Sequence, residues 1–457
     1  MKPVGAPNLL NSYSLDRAYI QEPPKSLLGM LRHLGPSLIV TANIVGSGEL
    51  IMTTTLGAKA GFVTLWVVLV SCLVKVAIQL EFGRLAISTG ETTLEALNKL
   101  PGPRWRGVCW SIWVWFGVKI IQFIQYGGIV GGVALAMHVA IPSVGVWPWT
   151  GLAALACALL VFRGSYPFME KTAIILTALF SLFTEFCVLV LQKTSYAISV
   201  ADVSEGLSFR LPEAALGAAL AAFGITGVSA DEIISYPYWC LEKGYARFAG
   251  PREASELWVR RARGWIKVMY LDAFLSMVIY TLATAAFYVL GAAVLHGRGE
   301  VPEGNEMIRT LSHIYTESVG SGAMLVFLIG AVVVLFSTLF VASASSTRMF
   351  TDAFAQCGVL DFANVRQRER WFRILAWFFP ASWSVLFLTV RAPVFMVMAG
   401  GLSITVLLLL VVYAAYIFRY QRLDKDLRPG RLYDLMLWIS FIAIIGVGVR
   451  SAAVLFD

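Results

Sequence analysis

Charge is scarce in this chain. Only 14% of its 457 residues are Asp, Glu, Lys or Arg, while 58% are hydrophobic. The mean hydropathy is +0.74. Such a composition excludes a soluble domain of this size and predicts one polytopic membrane domain. Histidine is scarcer still. His33, His138, His296 and His313 stand near segment ends or in loops, without the spacing of zinc ligands. The six cysteines (Cys72, Cys109, Cys157, Cys187, Cys240, Cys357) are scattered, mostly inside apolar segments. That pattern is neither a metal site nor a disulfide framework, and it reads as small buried side chains. There is no phosphate-cradling Gly-Lys-Ser/Thr loop, which excludes ATP hydrolysis by that route. No catalytic constellation appears, so neither enzyme activity nor a cofactor is expected. Residues 1–33 are polar and lack a short apolar region followed by a small-residue cleavage site, so no signal peptide is expected.

What the chain has in abundance is long apolar runs. They predict eleven helical spans, at about 34–57, 63–88, 107–138, 148–163, 172–192, 213–241, 265–296, 321–350, 371–390, 393–418 and 432–455. A helix needs roughly 20 residues to cross ~30 Å of hydrocarbon, and most of these runs suffice. The net charge of +8 is spread unevenly. If the N-terminus is cytoplasmic, 27 Lys and Arg fall on the inner side and 7 on the outer side. This bias predicts a plasma (inner) membrane protein with its N-terminus inside and its C-terminus outside. The basic excess is then a topology signal, with anionic lipid as its partner and no role for nucleic acid. Trp110, Trp113, Trp147, Trp149, Trp371 and Trp377 read as interfacial belts. The outer loop from His296 to Gly320 carries Glu300, Glu303, Glu306 and Glu317 against Arg298 and Arg309. It reads as a solvated loop, or as a means of concentrating cations at the outer mouth.

Two of the spans are interrupted alike. Val45-Gly46-Ser47-Gly48-Glu49-Leu50-Ile51 breaks the first, and Gly227-Val228-Ser229-Ala230-Asp231-Glu232-Ile233 breaks the sixth. Ser47 matches Ser229, Glu49 matches Asp231 and Ile51 matches Ile233. Five spans separate the two breaks, so the two units must run in opposite directions through the membrane. The expected architecture is an N-terminal tail (1–33), a first repeat (34–192), an inverted second repeat (213–418) and an added last helix (432–457). Breaks at corresponding positions of two halves point to a transport site.

The breaks also suggest a cargo. Unwound turns at Gly46, Gly48, Gly224 and Gly227 free backbone carbonyls, which hydrocarbon cannot satisfy. Carbonyls near Val45, Gly46, Gly227 and Val228, facing the carboxylates of Glu49 and Asp231, would make an oxygen-rich cavity suited to a hard divalent cation. Two carboxylates would balance one such ion. A bland reading stands beside this one. Ser229 to Glu232 has the form of a capping box, and acids in a first helical turn favour the positive end of the helix dipole. Glu49 and Asp231 could equally neutralise Lys119 or Lys75. Lys119, Gln122 and Gln125 form a polar stripe at three-residue steps on one helical face. Lys119 reads as an internal counter-charge or a gate, and Lys75 as similar or as a snorkelling side chain. The glycines of Gly127-Gly-Ile-Val-Gly-Gly132 read as close-packing positions.

Gly35-Pro-Ser-Leu-Ile-Val-Thr-Ala-Asn-Ile-Val-Gly-Ser-Gly-Glu49, Gly57-Ala-Lys-Ala-Gly-Phe62, Leu65-Trp-Val-Val-Leu69 and Gln79 through Gly90 resemble the first two helices of the NRAMP divalent-metal transporters. Gly224 through Tyr236 fits that family's sixth helix without a gap. The resemblance implies an all-α fold of the leucine-transporter type, with helices 1 and 6 unwound mid-membrane. The departures are as informative as the matches. The family's Asp-Pro-Gly-Asn is here Gly46-Ser47-Gly48-Glu49, and its Met-Pro-His is Asp231-Glu232-Ile233. The family's carbonyl ligand falls on Val228, its second sixth-helix histidine on Tyr238, and its proton-linked acidic pair on Gln125 and Gly128. Loss of the soft thioether implies a preference for hard ions such as Mg²⁺ or Mn²⁺. Loss of the histidines and third-helix acids argues against the family's usual proton coupling.

The leading expectation is therefore a monomeric carrier of a divalent cation working by alternating access. Glu49, Asp231, Gly46, Gly227 and Val228 are its ligands, and Lys119, Gln122, Gln125, Ser47, Ser229, Glu232 and Tyr238 line or gate its path. The alternative is a carrier of a small organic or anionic substrate on the same fold. An intramembrane enzyme using paired acids would leave the repeat unexplained.

Overall fold

A computed structural model of the protein describes residues 13–163, 166–320 and 322–456. The first twelve residues of the expected tail lie outside them. The chain is almost wholly helical. α1 (Pro36–Ile44) begins on a proline, whose missing N–H costs nothing in a first turn. Its free amides are answered from another helix: Gly35 N and Ser37 N donate to the two carboxylate oxygens of Asp272 at 2.9 and 2.7 Å. α1 stops at a turn at Val45 and Gly46, and a π-helical segment, Gly48–Thr53, leads into α2 (Thr54–Ala60). The backbone turns at Gly61, where φ is +61°, into α3 (Leu65–Val74) and α4 (Val76–Thr89). A short hairpin, β1 (Arg104–Trp105) with β2 (Val108–Cys109), precedes α5 (Trp110–Ala140).

α6 (Val146–Arg163) and α7 (Tyr166–Leu191) follow. α8 (Leu216–Ile225) and α9 (Ala230–Lys243) are the two halves of the second broken helix. α10 (Glu256–Leu290), α11 (Met307–Val319), α12 (Ala323–Gln356), α13 (Val365–Val390), α14 (Pro393–Ile417) and α15 (Arg431–Phe456) complete the chain. Among the described residues, nine helical stretches are long and apolar enough to cross a membrane. The first, Pro36–Thr89, has 54 residues, more than twice the length of one crossing, and holds both of the first two expected spans.

Packing follows residue size. A Cβ at Gly127 would meet the Trp383 carbonyl, one at Gly128 the Pro393 carbonyl, and one at Gly131 the Phe387 ring. The glycine run thus brings α5 hard against α13 and α14, as small residues do in membrane interiors. Gly224 meets Gly401 and Thr405 in the same way, seating α8 on α14. Large apolar side chains point outward instead, among them Ile120, Leu182, Leu189, Val385 and Ile442. The segment from His296 to Gly320, expected as a solvated loop, is folded: it contains α11, whose Met307, Ile308, Leu311, Ile314 and Tyr315 are buried. Arg298 holds Glu300 at 2.9 Å and Glu317 at 2.6 Å, and Arg309 stands 3.5 Å from Glu306. Three of its four glutamates are therefore paired, which leaves little free charge to draw cations. All six cysteines carry free thiols.

Candidate functional site

The second break builds the site. α8 ends at Thr226, Gly227 takes φ +61°, and α9 restarts at Ala230. Ser229 caps it: its hydroxyl accepts from Asp231 N at 3.1 Å, and Glu232 Oε2 accepts from Ser229 N at 2.9 Å. The capping box read from the sequence is formed. One oxygen of Glu232 is thus committed to its own helix end. The other accepts from the Asn43 amide of α1. Glu232 therefore ties the two broken helices together.

Asp231, one residue earlier, faces α5. Its Oδ2 accepts from Lys119 Nζ at 2.6 Å and from Tyr126 OH at 2.5 Å. The ion pair is buried, with side chains 1% and 8% exposed. A bare carboxylate at membrane depth is costly, and a buried partner offsets that cost.

Asp231, Glu232 and Asn43 line a cavity of about 20 Å³ together with Ser47, Gly48, Gln125, Tyr126, Ser229, Thr338 and the apolar Ile44, Ile129, Ile225 and Ile404. A single water needs ~10–15 Å³ by this measure, so the space suits one water-sized body. Three oxygens on its lining residues are buried without a hydrogen-bond partner among the described residues: Asp231 Oδ1, Asn43 Oδ1 and Gln125 Oε1. Buried polar atoms are usually satisfied, and three orphan oxygens on residues that line one space offer a candidate ligand set for a hard ion.

The arrangement corrects several expectations. Glu49 does not join Asp231 across the break. Fully buried, it does not line the cavity; its carboxylate takes the Thr284 hydroxyl of α10 at 3.1 Å and the Gly46 amide at 3.4 Å. Residue 49 lies in the first turn of the π-helical segment that begins at Gly48, and its side chain faces α10. Gly46, Gly227 and Val228 do not line the cavity either. The Gly46 carbonyl accepts from Leu50 N at 2.9 Å, and Gly227 lies on Cys72. Lys75 donates to the Phe223 and Thr226 carbonyls at the end of α8. Tyr238, two helical turns beyond Asp231, bonds Asp352 at 2.5 Å instead. Gln122 is buried with both amide atoms unpartnered among the described residues, but it does not line the cavity. Ser47, Gln125, Ser229 and Glu232 do line it. Among the described residues no three His, Cys, Asp or Glu side chains are grouped to hold a metal, so any ion here would rest chiefly on neutral oxygens.

Asn43, Tyr126 and Thr338 were not foreseen. Asn43 lies four residues before Ser47 and Tyr126 seven after Lys119, so each shares a helical face with a residue already singled out. Thr338 follows Ser337 as a polar pair in an apolar run.

Comparison with known proteins places these features. A family model described as natural resistance-associated macrophage protein-like (Nramp) matches residues 37–453. The divalent metal cation transporter MntH of Verminephrobacter eiseniae is 24% identical over 395 residues, covering 86% of this chain and 80% of that protein. A manganese transporter of Eremococcus coleocola, solved as a mutant, superposes with a TM-score of 0.65 at 14% identity, covering 96% of this chain and 90% of the other. A nucleobase-cation-symport-1 family transporter superposes with a TM-score of 0.52 at 12% identity, covering 92% of each chain. At these identities likeness shows the fold, which is all-helical and of the leucine-transporter type.

Proposed function

This chain belongs to the Nramp family, and from that premise we propose that it is a membrane carrier, rather than an enzyme, that moves a hard divalent cation such as Mg²⁺ or Mn²⁺ by alternating access. The observation that carries this reading is that Asp231, Asn43 and Gln125, which all line one water-sized space, each hold a buried oxygen without a partner among the described residues. Oxygen-only donors suit Mg²⁺ and Mn²⁺ better than softer metals. A relative named as a divalent metal cation transporter supports the class of cargo. In this reading Asp231 supplies the charged ligand, Asn43 and Gln125 supply neutral ones, and the hydroxyls of Ser47 and Thr338 are within the same lining. The half-helices meeting at residues 45–48 and 226–229 rock as the cavity opens to either side. Eleven crossings, two opposed five-helix units, a cytoplasmic N-terminus in the inner membrane and a monomeric transport unit complete the reading. Gln125 and Gly128 carry no proton, which favours transport without the coupling usual in the family.

The size of the cavity, about 20 Å³, favours an ion over the alternative organic or anionic cargo. The test is uptake of Mg²⁺ and Mn²⁺ into proteoliposomes by the purified protein and by Asp231→Asn. Saturable uptake of at least one ion, reduced at least about tenfold in the variant, is expected from the loss of a charged ligand. Absence of flux for both ions, or an Asp231→Asn variant equal to the wild type, overturns the reading.

A further inference from the structure

We propose that Lys119 is a tethered counter-cation that takes the cargo's place on Asp231 once cargo has left, so that the carrier turns around without a co-transported ion. The inference rests on the cation-carrier reading and adds the return half of its cycle. Three observations carry it. Lys119 Nζ lies 2.6 Å from Asp231 Oδ2, while Oδ1 of the same carboxylate is buried without a partner among the described residues, on a residue that lines the cavity. One oxygen of the carboxylate is thus committed to an internal cation and the other is left open.

The two partners also sit on elements of different kinds. Asp231 opens α9, directly after the break, whereas Lys119 lies in the unbroken 31-residue α5, packed through its glycines on α13 and α14. The pair therefore spans a moving half-helix and a fixed one. Finally, a displaced ammonium has somewhere to rest. The rings of Tyr126 and Trp115 lie 5.5 and 6.0 Å from Nζ, within cation–π range.

The physical need is general. A carrier returning without cargo must move its binding carboxylate through an environment that penalises unpaired charge. Either another ion binds there, or the protein supplies a cation of its own. Glu232 differs, since each of its two oxygens already accepts from a protein amide, Asn43 and Ser229 N. Nor is Lys75 available, since its ammonium is spent on the Phe223 and Thr226 carbonyls. Among the described residues, Lys119 is the cation paired with a carboxylate of the cavity. A divalent ion arriving at Oδ1 competes with it, so the price of an unassisted return is weaker cargo binding.

The experiment compares net Mn²⁺ uptake with exchange of labelled for unlabelled Mn²⁺ in proteoliposomes. Exchange needs only the loaded carrier; net uptake needs the unloaded return. In Lys119→Gln the ratio of net uptake to exchange is expected to fall at least about tenfold, and Lys119→Arg is expected to recover most of it, because only the tethered charge is at issue. A ratio equal to the wild type, or a Lys119→Arg variant no better than Lys119→Gln, overturns the proposal. A second arm needs no cargo. In chelator, hydrogen exchange at amides 226–235 is expected to speed up at least about tenfold in Lys119→Gln, and to return toward the wild type in Lys119→Gln/Asp231→Asn, where both charges are gone. Failure of the double variant to restore protection overturns the tether. Should the wild type move neither Mn²⁺ nor Mg²⁺, the cation reading falls, and this second arm still upholds or overturns the pairing.

Discussion

The ammonium of Lys75 stands 2.6 Å from the carbonyl oxygen of Thr226 and 2.7 Å from that of Phe223. Ser71 donates to the same two oxygens at 3.0 and 2.9 Å. A positive group at the negative end of α8, deep in the protein, seals the carbonyls that the break would otherwise strand. Lys75 is fully buried, so it does not snorkel.

Replacing Lys75 with Met should therefore cost about 1–3 kcal/mol of stability, the range for stranding a buried acceptor, since the single hydroxyl proton of Ser71 can serve only one of the two oxygens. Ser71→Ala should cost about 0.5–1.5 kcal/mol, since the lysine still serves both oxygens. Denaturant unfolding in detergent measures both. A Ser71→Ala variant that loses more than Lys75→Met would mean the lysine is not the main seal.

Asp231 and Glu49 should part company in binding assays. Asp231→Asn should weaken Mn²⁺ or Mg²⁺ binding by about tenfold or more, through loss of a charged ligand. Glu49→Gln should leave affinity within about threefold, because its carboxylate is engaged with Thr284 and Gly46 rather than with the cavity. Calorimetry on the purified protein decides; an equal loss in the two variants would place Glu49 back among the ligands.

Gly227 has φ +61°, and a Cβ there would lie 2.9 Å from Cys72 Cα. Gly227→Ala should destabilise by about 1–3 kcal/mol through backbone strain, before any repacking cost. Gly217, in the same broken helix, has nothing within 4 Å of a built Cβ. Gly217→Ala should be neutral, or stabilise by up to about 1 kcal/mol. Thermal scans of the two variants side by side test the contrast.

The segment from His296 to Gly320 should loosen in acid. Partial burial raises the Glu300 carboxyl, but hydrogen bonds from His313 and Arg298 outweigh it and hold the group below its ordinary range. With the folded value depressed, the contribution of Glu300 is fully present above the unfolded pKa of about 4.3 and is lost as pH falls through the folded value. Protection factors for amide exchange in 297–319, corrected for the intrinsic pH dependence, should therefore fall below about pH 4, and Glu300→Gln should remove that fall. Identical acid profiles for wild type and variant would count against this account.

Much of this molecule was written locally. Apolar run length set the helices, the glycines marked both breaks, and Ser229 with Glu232 spelled a cap that forms as read. The stripe Lys119–Gln125 lies on one continuous helix, α5, whose period of about 100° per residue carries a face forward reliably. Lys119 and Gln125 accordingly reach Asp231 and the cavity.

What the sequence could not decide was direction beyond a break. An unwound or π-helical turn resets the helical phase, so Glu49, aligned with Asp231 in the text, turns toward α10 while Asp231 turns toward α5. Only the assembled helices determine that Asn43 reaches Glu232, that Lys75 takes the carbonyls proposed for an ion, and that Tyr126 shares an oxygen with Lys119. By itself the sequence determined a membrane chain with two interrupted helices and acids beside them. The tertiary structure decided which acid faces the cavity, because that depends on the rotation of packed helices about their axes, a quantity no local pattern contains.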